Sequence, residues 1–357
     1  MTEQATEGPP PQSSPRRRRR WPWVVGIAAA VIVLLFIVAT AIIVALAVGR
    51  GGGFTSPGGF QEEYVSGSGT DRVAVIPVDG TILSDNSSPE DTLPTTTPRG
   101  LQAALDQAES DASVGAVVLR VNSPGGGVTP SAEMHRSLLE FREDSEKPVV
   151  VSMADTAASG GYYISTAADA IVAEETTLTG SLGVYLGLLE ISEAADDLGV
   201  EQNYIRSGEF KTMGDPFREL TPEEEEIFQS IVDEDYQEFV NVISEGRDLP
   251  EDRVREIADG RVYSGLQALD LDLVDELGGL DRAVEVAAGQ ADLADDPTVV
   301  RYVQEPGLGS LLFARFLPDP PQAAQVLEAS GIQFNGTPQY LYVPGATGSG
   351  NAVSSAR

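Results

Sequence analysis

The chain has 357 residues, which suits one large folded domain or two small ones. Its 23 Lys and Arg stand against 55 Asp and Glu, a formal net charge of −32, and such an acidic surface argues against a nucleic-acid partner. Cysteine is absent, which excludes disulfides and thiol catalysis, and the single histidine, His135, excludes a zinc site built from several histidines.

The N-terminal 49 residues predict a membrane anchor. Residues 1–20 are polar and Pro-rich, end in the cluster Arg16–Arg20, and are expected to form a disordered cytoplasmic tail. Residues 21–49 contain no charged side chain and exceed the ~20 apolar residues that span a bilayer. The arginine cluster orients the body outside the cytoplasm. A cleaved signal peptide is the alternative, because Ala45-Leu46-Ala47 resembles a cleavage site.

Beyond the anchor, residues 50–70 are rich in Gly and Ser and predict a flexible linker. A folded domain is expected over 71–293, followed by a partly disordered extension over 294–357. Within the domain, apolar runs alternate with helical patterns. The patterns predict strands over 73–78, 115–121, 149–153 and 170–173, and helices over 98–110, 129–142 and 157–168. This alternation indicates a layered α/β fold with a largely parallel sheet.

The C-terminal part of this domain is predicted to be helical. Thr221-Pro222-Glu223-Glu224 has the pattern of a capping box with proline in the first turn. The predicted helices cover 222–245, 250–258, 264–271 and 280–290.

Two loops follow predicted strands at the sheet edge where sites of α/β proteins lie. One is the glycine-rich loop 122–127, and the other is 154–161. Consecutive glycines allow backbone N–H groups to approach a developing oxyanion, although a plain strand-to-helix turn has the same composition. A phosphate-binding loop is disfavoured, because no Gly-Lys-Ser/Thr follows.

Ser159 lies in the second loop, where a strand is expected to give way to a helix. Its hydroxyl would stand near a helix N-terminus beside the Gly160 N–H, which suits an exposed nucleophile. A helix N-cap is the competing interpretation, since serine serves well at that position.

A serine nucleophile needs a general base, and two of the three candidates have an ordinary interpretation. His135 lies between charged neighbours on a helix and is expected to be solvated. Lys147 lies in an acidic loop, Glu143-Asp-Ser-Glu-Lys147, which is expected to keep it charged and exposed.

Lys211 is the third candidate. Phe210 and Met213 flank it, and a lysine desolvated by apolar neighbours loses its proton more readily. It is also compatible with an ordinary loop lysine. Ser181, in the turn Thr179-Gly-Ser-Leu-Gly183, is a candidate for orienting the lysine amine by a hydrogen bond.

In combination these motifs resemble the signal peptide peptidase A family in its short form. The family comprises membrane-bound serine proteases of the ClpP/crotonase superfold. The resemblance covers roughly 72–290 and rests on Asn122-Ser-Pro-Gly-Gly126, Ala158-Ser-Gly-Gly-Tyr-Tyr163, Thr179-Gly-Ser-Leu-Gly-Val184 and Ser207-Gly-Glu-Phe-Lys211. Residues 261–268 and 273–278 are similar to the family's C-terminal signature.

The resemblance implies a Ser–Lys dyad without a metal or cofactor. Ser159 would be the nucleophile, Lys211 the base and Ser181 the residue that positions the amine. The N–H groups of Gly126 and Gly160 would form the oxyanion hole.

The resemblance also implies a substrate and an assembly. Substrates would be residual signal peptides and other apolar segments at the outer face of the lipid bilayer. The chain would form a homo-oligomer with active sites at protomer interfaces. The alternatives are another ClpP-like Ser–Lys membrane protease with a different substrate, and a non-catalytic membrane scaffold.

Overall fold

A computed structural model of the chain describes residues 60–85, 94–304 and 339–341. The predicted cytoplasmic tail and the anchor over 21–49 lie outside these residues. Among the helices within them, none combines the length and apolar character that a membrane crossing requires.

The strands of the described residues are short and follow one another closely in two regions, before residue 128 and between 149 and 180. In chain order they are β1 (Phe60–Ser66), β2 (Arg72–Asp79), β3 (Thr81–Ile82), β4 (Thr95–Thr96), β5 (Val114–Ser123), β6 (Gly125–Gly127), β7 (Val149–Ala158), β8 (Ala170–Ala173), β9 (Leu178–Gly180), β10 (Val262–Ser264), β11 (Glu276–Leu277), β12 (Thr298–Gln304) and β13 (Gln339–Leu341).

Helices separate the strands along most of this range. They are α1 (Pro98–Ser110), α2 (Val128–Ser145), α3 (Gly160–Ser165), α4 (Ser192–Leu198), α5 (Pro222–Arg247), α6 (Glu251–Ile257), α7 (Gly265–Asp270) and α8 (Leu280–Gln290), together with a 3-10 turn, Glu209–Thr212.

The main sheet has the order β1-β12-β2-β5-β7-β8-β11, and its neighbours are parallel except where β1 meets β12. β9 continues along β7 in parallel and pairs with β10 in antiparallel fashion. The structure therefore confirms the predicted α/β arrangement with a largely parallel sheet.

Side chains alternate between two apolar cores because both faces of the central strands are covered. On one face, Ile76 and Leu119 pack with Leu105 of α1 and Met134 of α2. On the other face, Val75, Val118 and Val150 pack with Ala283 and Ala287 of α8. This burial on both faces explains why the strands read as continuous β-branched runs in the sequence.

A second, smaller sheet has the order β13-β6-β3-β4. β6 begins two residues after β5 ends, so the glycine-rich loop leaves the main sheet and immediately joins the second one. β3 is parallel to β6 at Ile82 and Gly126, and β13 is antiparallel to β6, with Tyr340 opposite Gly126.

Local capping signals account for the predicted helix ends. Helix α1 begins at Pro98, where the Thr97 hydroxyl accepts the Gly100 N–H at 3.2 Å. The predicted capping box of α5 is confirmed, with Thr221 and Glu224 each accepting the other's backbone N–H. Helices α1 and α8 and strand β8 have the predicted limits.

The folded part extends past both ends of the domain predicted over 71–293. Residues 60–66, within the predicted flexible linker, form β1, and residues 298–304, within the predicted extension, form β12. β12 inserts between β1 and β2. β1 is an edge strand with mostly exposed side chains, so its sequence lacks the buried alternation that predicts a strand.

Lys147 is placed differently from the exposed, acidic setting expected for it. Its ammonium donates to three backbone carbonyls at the end of α1, those of Ala108 at 2.7 Å, Glu109 at 3.1 Å and Asp111 at 2.9 Å. A cation at a helix C-terminus satisfies carbonyls that have no intrahelical partner. Burial lowers the pKa of Lys147, although Asp111 and Glu109 oppose that shift. Lys147 is therefore a helix cap.

Candidate active site

Ser159 marks an abrupt change from strand to helix. Its N–H donates to the Gly180 carbonyl at 2.8 Å and continues the pairing of β7 with β9. Its own carbonyl accepts the Tyr163 N–H at 2.8 Å, the first bond of α3. Making both bonds forces the residue to φ 53° and ψ −116°, a conformation that costs a non-glycine residue about 1–3 kcal/mol. Strain of this kind is typical of a nucleophile at a sharp strand-to-helix turn.

The Ser159 side chain does not act as the helix cap that was the competing interpretation. No capping hydrogen bond is made by the Ser159 hydroxyl, and the residue is only 1 % exposed. Its Oγ is buried and has no hydrogen-bond partner within the described part of the chain. A buried hydroxyl normally finds a partner, because an unsatisfied one costs about 1–3 kcal/mol. The Ser159 Oγ is therefore not engaged in a structural hydrogen bond with any of the described residues.

Ser181 stands next to Ser159 across the sheet. Ala158 of β7 is paired with Gly180 of β9, so the two serines follow paired residues on adjacent parallel strands. Both have positive φ values, 53° and 52°. The Ser181 N–H donates to the Arg261 carbonyl at 2.7 Å, which holds its backbone in place. The structure thus brings together two of the serines singled out in the sequence.

The glycine-rich strand β6 approaches the same junction. Gly126 packs so tightly on β3 that a Cβ there would lie 1.9 Å from the Ile82 carbonyl oxygen. A Cβ on Gly161, in the first turn of α3, would lie 2.8 Å from the Ser123 oxygen. Gly160 is the first residue of α3, and the N–H groups of a first helical turn have no partner within the helix. Gly160 therefore adjoins Ser159 in the chain, and the tight contact between Gly161 and Ser123 brings the segment that leads into β6 against the first turn of α3.

Ser123 is a site residue that the sequence analysis did not identify. It is fully buried, its hydroxyl donates to the Gly80 carbonyl at 2.6 Å, and its Oγ accepts the Gly125 N–H at 3.1 Å. These bonds fix the start of β6. The sequence does contain a signal for this role, because Ser123 directly precedes Pro124 and three glycines. An exposed turn of that composition would not need a hydroxyl group.

Two buried tyrosines anchor the short helix α3. The Tyr162 hydroxyl donates to the Leu273 carbonyl at 2.8 Å, and burial raises the pKa of Tyr162. The Tyr163 ring packs against Phe239 and, edge-on, against His135, with ring centroids 5.2 Å apart in each case. His135 is therefore half-buried rather than fully solvated as expected. It belongs to the packing behind α3, and burial lowers its pKa to about 4.

Lys211 lies in the 3-10 turn Glu209–Thr212 and is exposed. Phe210, expected to desolvate it, is itself 44 % exposed. Because the Ser159 Oγ has no partner among the described residues, the Lys211 amine of the same chain is not hydrogen-bonded to it. The chain brings Ser159 and Ser181 together and leaves Lys211 exposed.

A strained, buried serine at the end of parallel strands, beside the first-turn N–H groups of a helix, is the arrangement expected of a serine hydrolase. Comparison with known proteins narrows that class. Residues 141–294 match the model of peptidase family S49. A relative in Enterococcus faecium named for the SppA signal peptide peptidases is 34 % identical over 242 residues, which cover 68 % of this chain and 70 % of the relative.

Longer relatives match over the same region. Protease 4 of Haemophilus influenzae is 36 % identical over 66 % of this chain and 37 % of its own length. The chloroplastic serine protease SPPA of Arabidopsis thaliana is 36 % identical over 63 % of this chain and 33 % of its own length. The chain belongs to peptidase family S49 and is a serine peptidase, as its motifs predicted.

Burial of His135 predicts a pH-dependent stability. Its pKa is about 4 in the folded chain against 6.5 ordinarily, so between these values the unfolded state binds the extra proton. The free energy of unfolding should rise from pH 4 to 6.5, by at most about 1.4 kcal/mol per unit from this group. Denaturant unfolding of the wild type and His135→Gln at pH 5.0, 5.75 and 6.5 should show a smaller slope in the variant. Parallel curves would contradict the buried, neutral state of His135.

Proposed function

We propose that the protein is a membrane-anchored endopeptidase with a Ser159–Lys211 dyad that degrades residual signal peptides and other apolar segments on the extracytoplasmic side. The observation that carries the proposal is the buried, strained and unpaired Ser159 hydroxyl. We further propose that the layered α/β arrangement is the ClpP/crotonase superfold, in which two sheets meet at the site.

Elimination supports Lys211 as the base. His135 packs behind Tyr163, and Lys147 is occupied by three carbonyls at the end of α1. The chain has only these two lysines among its 23 basic residues. Arginine keeps its proton at any physiological pH, so it is a poor base. Lys211 is the remaining residue of suitable chemistry, and its amine makes no hydrogen bond or ion pair within the described ranges.

The chemistry begins with proton transfer. The neutral Lys211 amine takes the proton of the Ser159 hydroxyl, and the Oγ attacks the carbonyl carbon of the scissile peptide bond. The N–H groups of Gly126 and Gly160 hold the oxyanion of the tetrahedral intermediate. Collapse of the intermediate breaks the C–N bond, and the Lys211 ammonium gives its proton to the leaving amine.

Hydrolysis of the acyl-enzyme completes the cycle. The Lys211 amine, now neutral again, removes a proton from water, and the resulting hydroxide attacks the ester carbonyl. The ester bond to Ser159 breaks, and the Lys211 ammonium returns its proton to the Oγ. Ser181, which follows the residue paired with Ala158, would orient the amine in both halves of the reaction.

We propose that the lysine is supplied by a second copy of the chain. Every residue from Leu198 to Lys211 is exposed, and this stretch includes large apolar side chains. Leu198 is 78 % exposed, and Ile205 is fully exposed. Several large apolar side chains exposed close together on an acidic protein are typical of an interface. A homo-oligomer would cover it and desolvate the lysine at the same time, which favours the neutral amine.

An extended peptide is the form of substrate that the site favours. β13, a segment of this chain, lies antiparallel to β6 with Tyr340 opposite Gly126. This edge of β6 can therefore pair with an extended strand, and a substrate peptide would take the position that β13 occupies. Main-chain pairing of this type binds peptides with little dependence on their side chains. It supports an endopeptidase with broad specificity over a non-catalytic scaffold or a peptidase dedicated to one membrane protein.

Removing either member of the dyad should abolish turnover without unfolding the protein. We expect Ser159→Ala and Lys211→Met each to lower kcat for a fluorogenic apolar peptide by at least about 1000-fold. Lys147→Met is the matched control. It should keep kcat and lower the free energy of unfolding by about 1–3 kcal/mol, because three charge-assisted hydrogen bonds are lost.

A fluorophosphonate probe distinguishes an enzyme from a scaffold. Wild-type protein should be labelled at Ser159, which peptide mass mapping can verify, and Ser159→Ala should not be labelled. Turnover retained in Lys211→Met and lost in Lys147→Met would exchange the roles of the two lysines and overturn the dyad.

Mixing two inactive variants tests whether the active site spans protomers. Ser159→Ala and Lys211→Met protein would be combined at equal amounts under conditions of subunit exchange. In a ring with heterologous interfaces, about one quarter of the sites should combine an intact serine with an intact lysine and recover activity. No recovery, despite exchange measured by energy transfer between labelled subunits, would show that each dyad lies within one chain.

The proposed anchor predicts the behaviour of the full chain in membranes. Residues 21–49 should keep it in the membrane pellet after carbonate extraction, and external protease should digest the body of the protein but spare the tail at Arg16–Arg20. A soluble body that begins shortly after Ala45-Leu46-Ala47 would instead show cleavage of a signal peptide.

A further inference from the structure

The guanidinium group of Arg218 joins the 3-10 turn Glu209–Thr212, here called the lysine turn because it carries Lys211, to helix α5. Arg218 donates through Nη2 to the Thr212 carbonyl at 2.8 Å and through Nη1 to Glu224 Oε2 at 2.7 Å, and Nη2 also contacts Glu224 Oε1. Thr212 is the residue after Lys211 and the last of the 3-10 turn. The backbone next to the lysine is therefore bound to a residue in the first turn of a 26-residue helix.

A second arginine holds the same threonine from the other side of the turn. Arg206 Nη1 donates to the Thr212 Oγ1 at 2.7 Å. The carbonyl and the hydroxyl of Thr212 are thus fixed by arginines that precede and follow Lys211 in the chain. A residue held at both its backbone and its side chain restricts the direction in which its neighbour projects.

Glu224, the acceptor of this arrangement, is itself rigidly placed. It is 3 % exposed, and Oε2 accepts the Thr221 N–H at 3.2 Å while its own N–H donates to Thr221 Oγ1 at 3.3 Å. The hydrogen bond from Arg218 lowers the pKa of Glu224 to about 2, so the carboxylate stays charged under all working conditions. Thr221 and Glu224 complete the capping box without Arg218. The hydrogen bond from Arg218 to the Thr212 carbonyl is therefore not needed to start the helix.

Apolar packing contributes little to the position of the lysine turn. Gly208, Glu209, Phe210 and Lys211 are all exposed, so no core side chain fixes them. Directly after the turn, Gly214 packs near Phe228 of α5 and Leu188. The contacts that locate the turn are therefore the polar ones at Thr212 and the packing that begins after it.

We propose that Arg218 and Glu224 are positioning residues for the reaction, which fix the turn that carries Lys211 to the first turn of α5 so that its amine is presented in one direction. The inference rests on the proposed Ser159–Lys211 dyad. A base that is displaced by about 1 Å can cost about 100-fold in rate, so a rigid support on an exposed turn has a direct effect on turnover.

Substitutions of Arg218 and Glu224 test the proposal. We expect Arg218→Gln to lower kcat about 10- to 100-fold, with KM changed less than about threefold, because the peptide-binding strand is untouched. Glu224→Gln keeps the shape and the capping geometry and should lower kcat by a smaller factor. Arg218→Lys, which retains the charge but not the fork of donors, should fall between wild type and Arg218→Gln.

An ion pair at the opposite end of the same helix provides the matched control. Arg247, the last residue of α5, donates through both terminal nitrogens to Asp275, at 2.7 and 3.0 Å. Arg247→Gln breaks a bidentate pair of the same type that is remote from the lysine turn. It should lower the melting temperature at least as much as Arg218→Gln and leave kcat at the wild-type value.

Three measurements separate the outcomes, namely steady-state kinetics, the rate of fluorophosphonate labelling at Ser159, and the mass of the assembled protein. A fall in kcat and labelling rate for Arg218→Gln at unchanged mass supports the proposal. Wild-type kcat in folded Arg218→Gln and Glu224→Gln overturns it and leaves the dyad intact. Wild-type kcat in Lys211→Met overturns the dyad and the inference together. If Arg218→Gln fails to fold, Glu224→Gln and Arg218→Lys decide the question.

Discussion

The hydrogen bond from the Ser159 N–H to the Gly180 carbonyl is the constraint on which the site depends. This bond extends the parallel pairing of β7 and β9 to Ser159, although Ser159 also accepts the first hydrogen bond of α3. An unstrained residue could not take part in both. Ser159 must therefore adopt a positive φ, and its side chain is buried at the junction of strand and helix. The same pairing sets Ser181 beside it. Two closely packed glycines, Gly126 and Gly161, leave room for this geometry.

The candidate site residues fall into a tightly packed part and an exposed part. Ser159 directly follows β7 of the main sheet, whose two faces are both buried, and close packing there resists small displacements. Lys211 instead lies on an exposed turn held by polar contacts. A chain built in this way holds Ser159 firmly in place, whereas the solvation of Lys211 depends on what covers the turn.

Sequence patterns predicted what is determined locally. The limits of α1 follow from Thr97 and Pro98, and the start of α5 follows from its capping box, because both depend on residues within one turn. The patterns failed where a distant part of the chain decides the structure. Lys147 looked like a solvated loop residue because its three acceptors lie in α1, and His135 because its partner is Tyr163 of α3. The motifs nevertheless identified Ser159 and Ser181, which the structure places side by side.

The position of β12 determines when the sheet can be completed during synthesis. Phe60, at the start of β1, pairs with Gln304, at the end of β12, and β12 also separates β1 from β2. The earliest strand of the body thus has no native neighbour until nearly the whole body has left the ribosome. Such long-range closure makes the edge of the sheet a late step of folding. Until β12 has been made, the edge of β2 that it covers has no strand partner on that side.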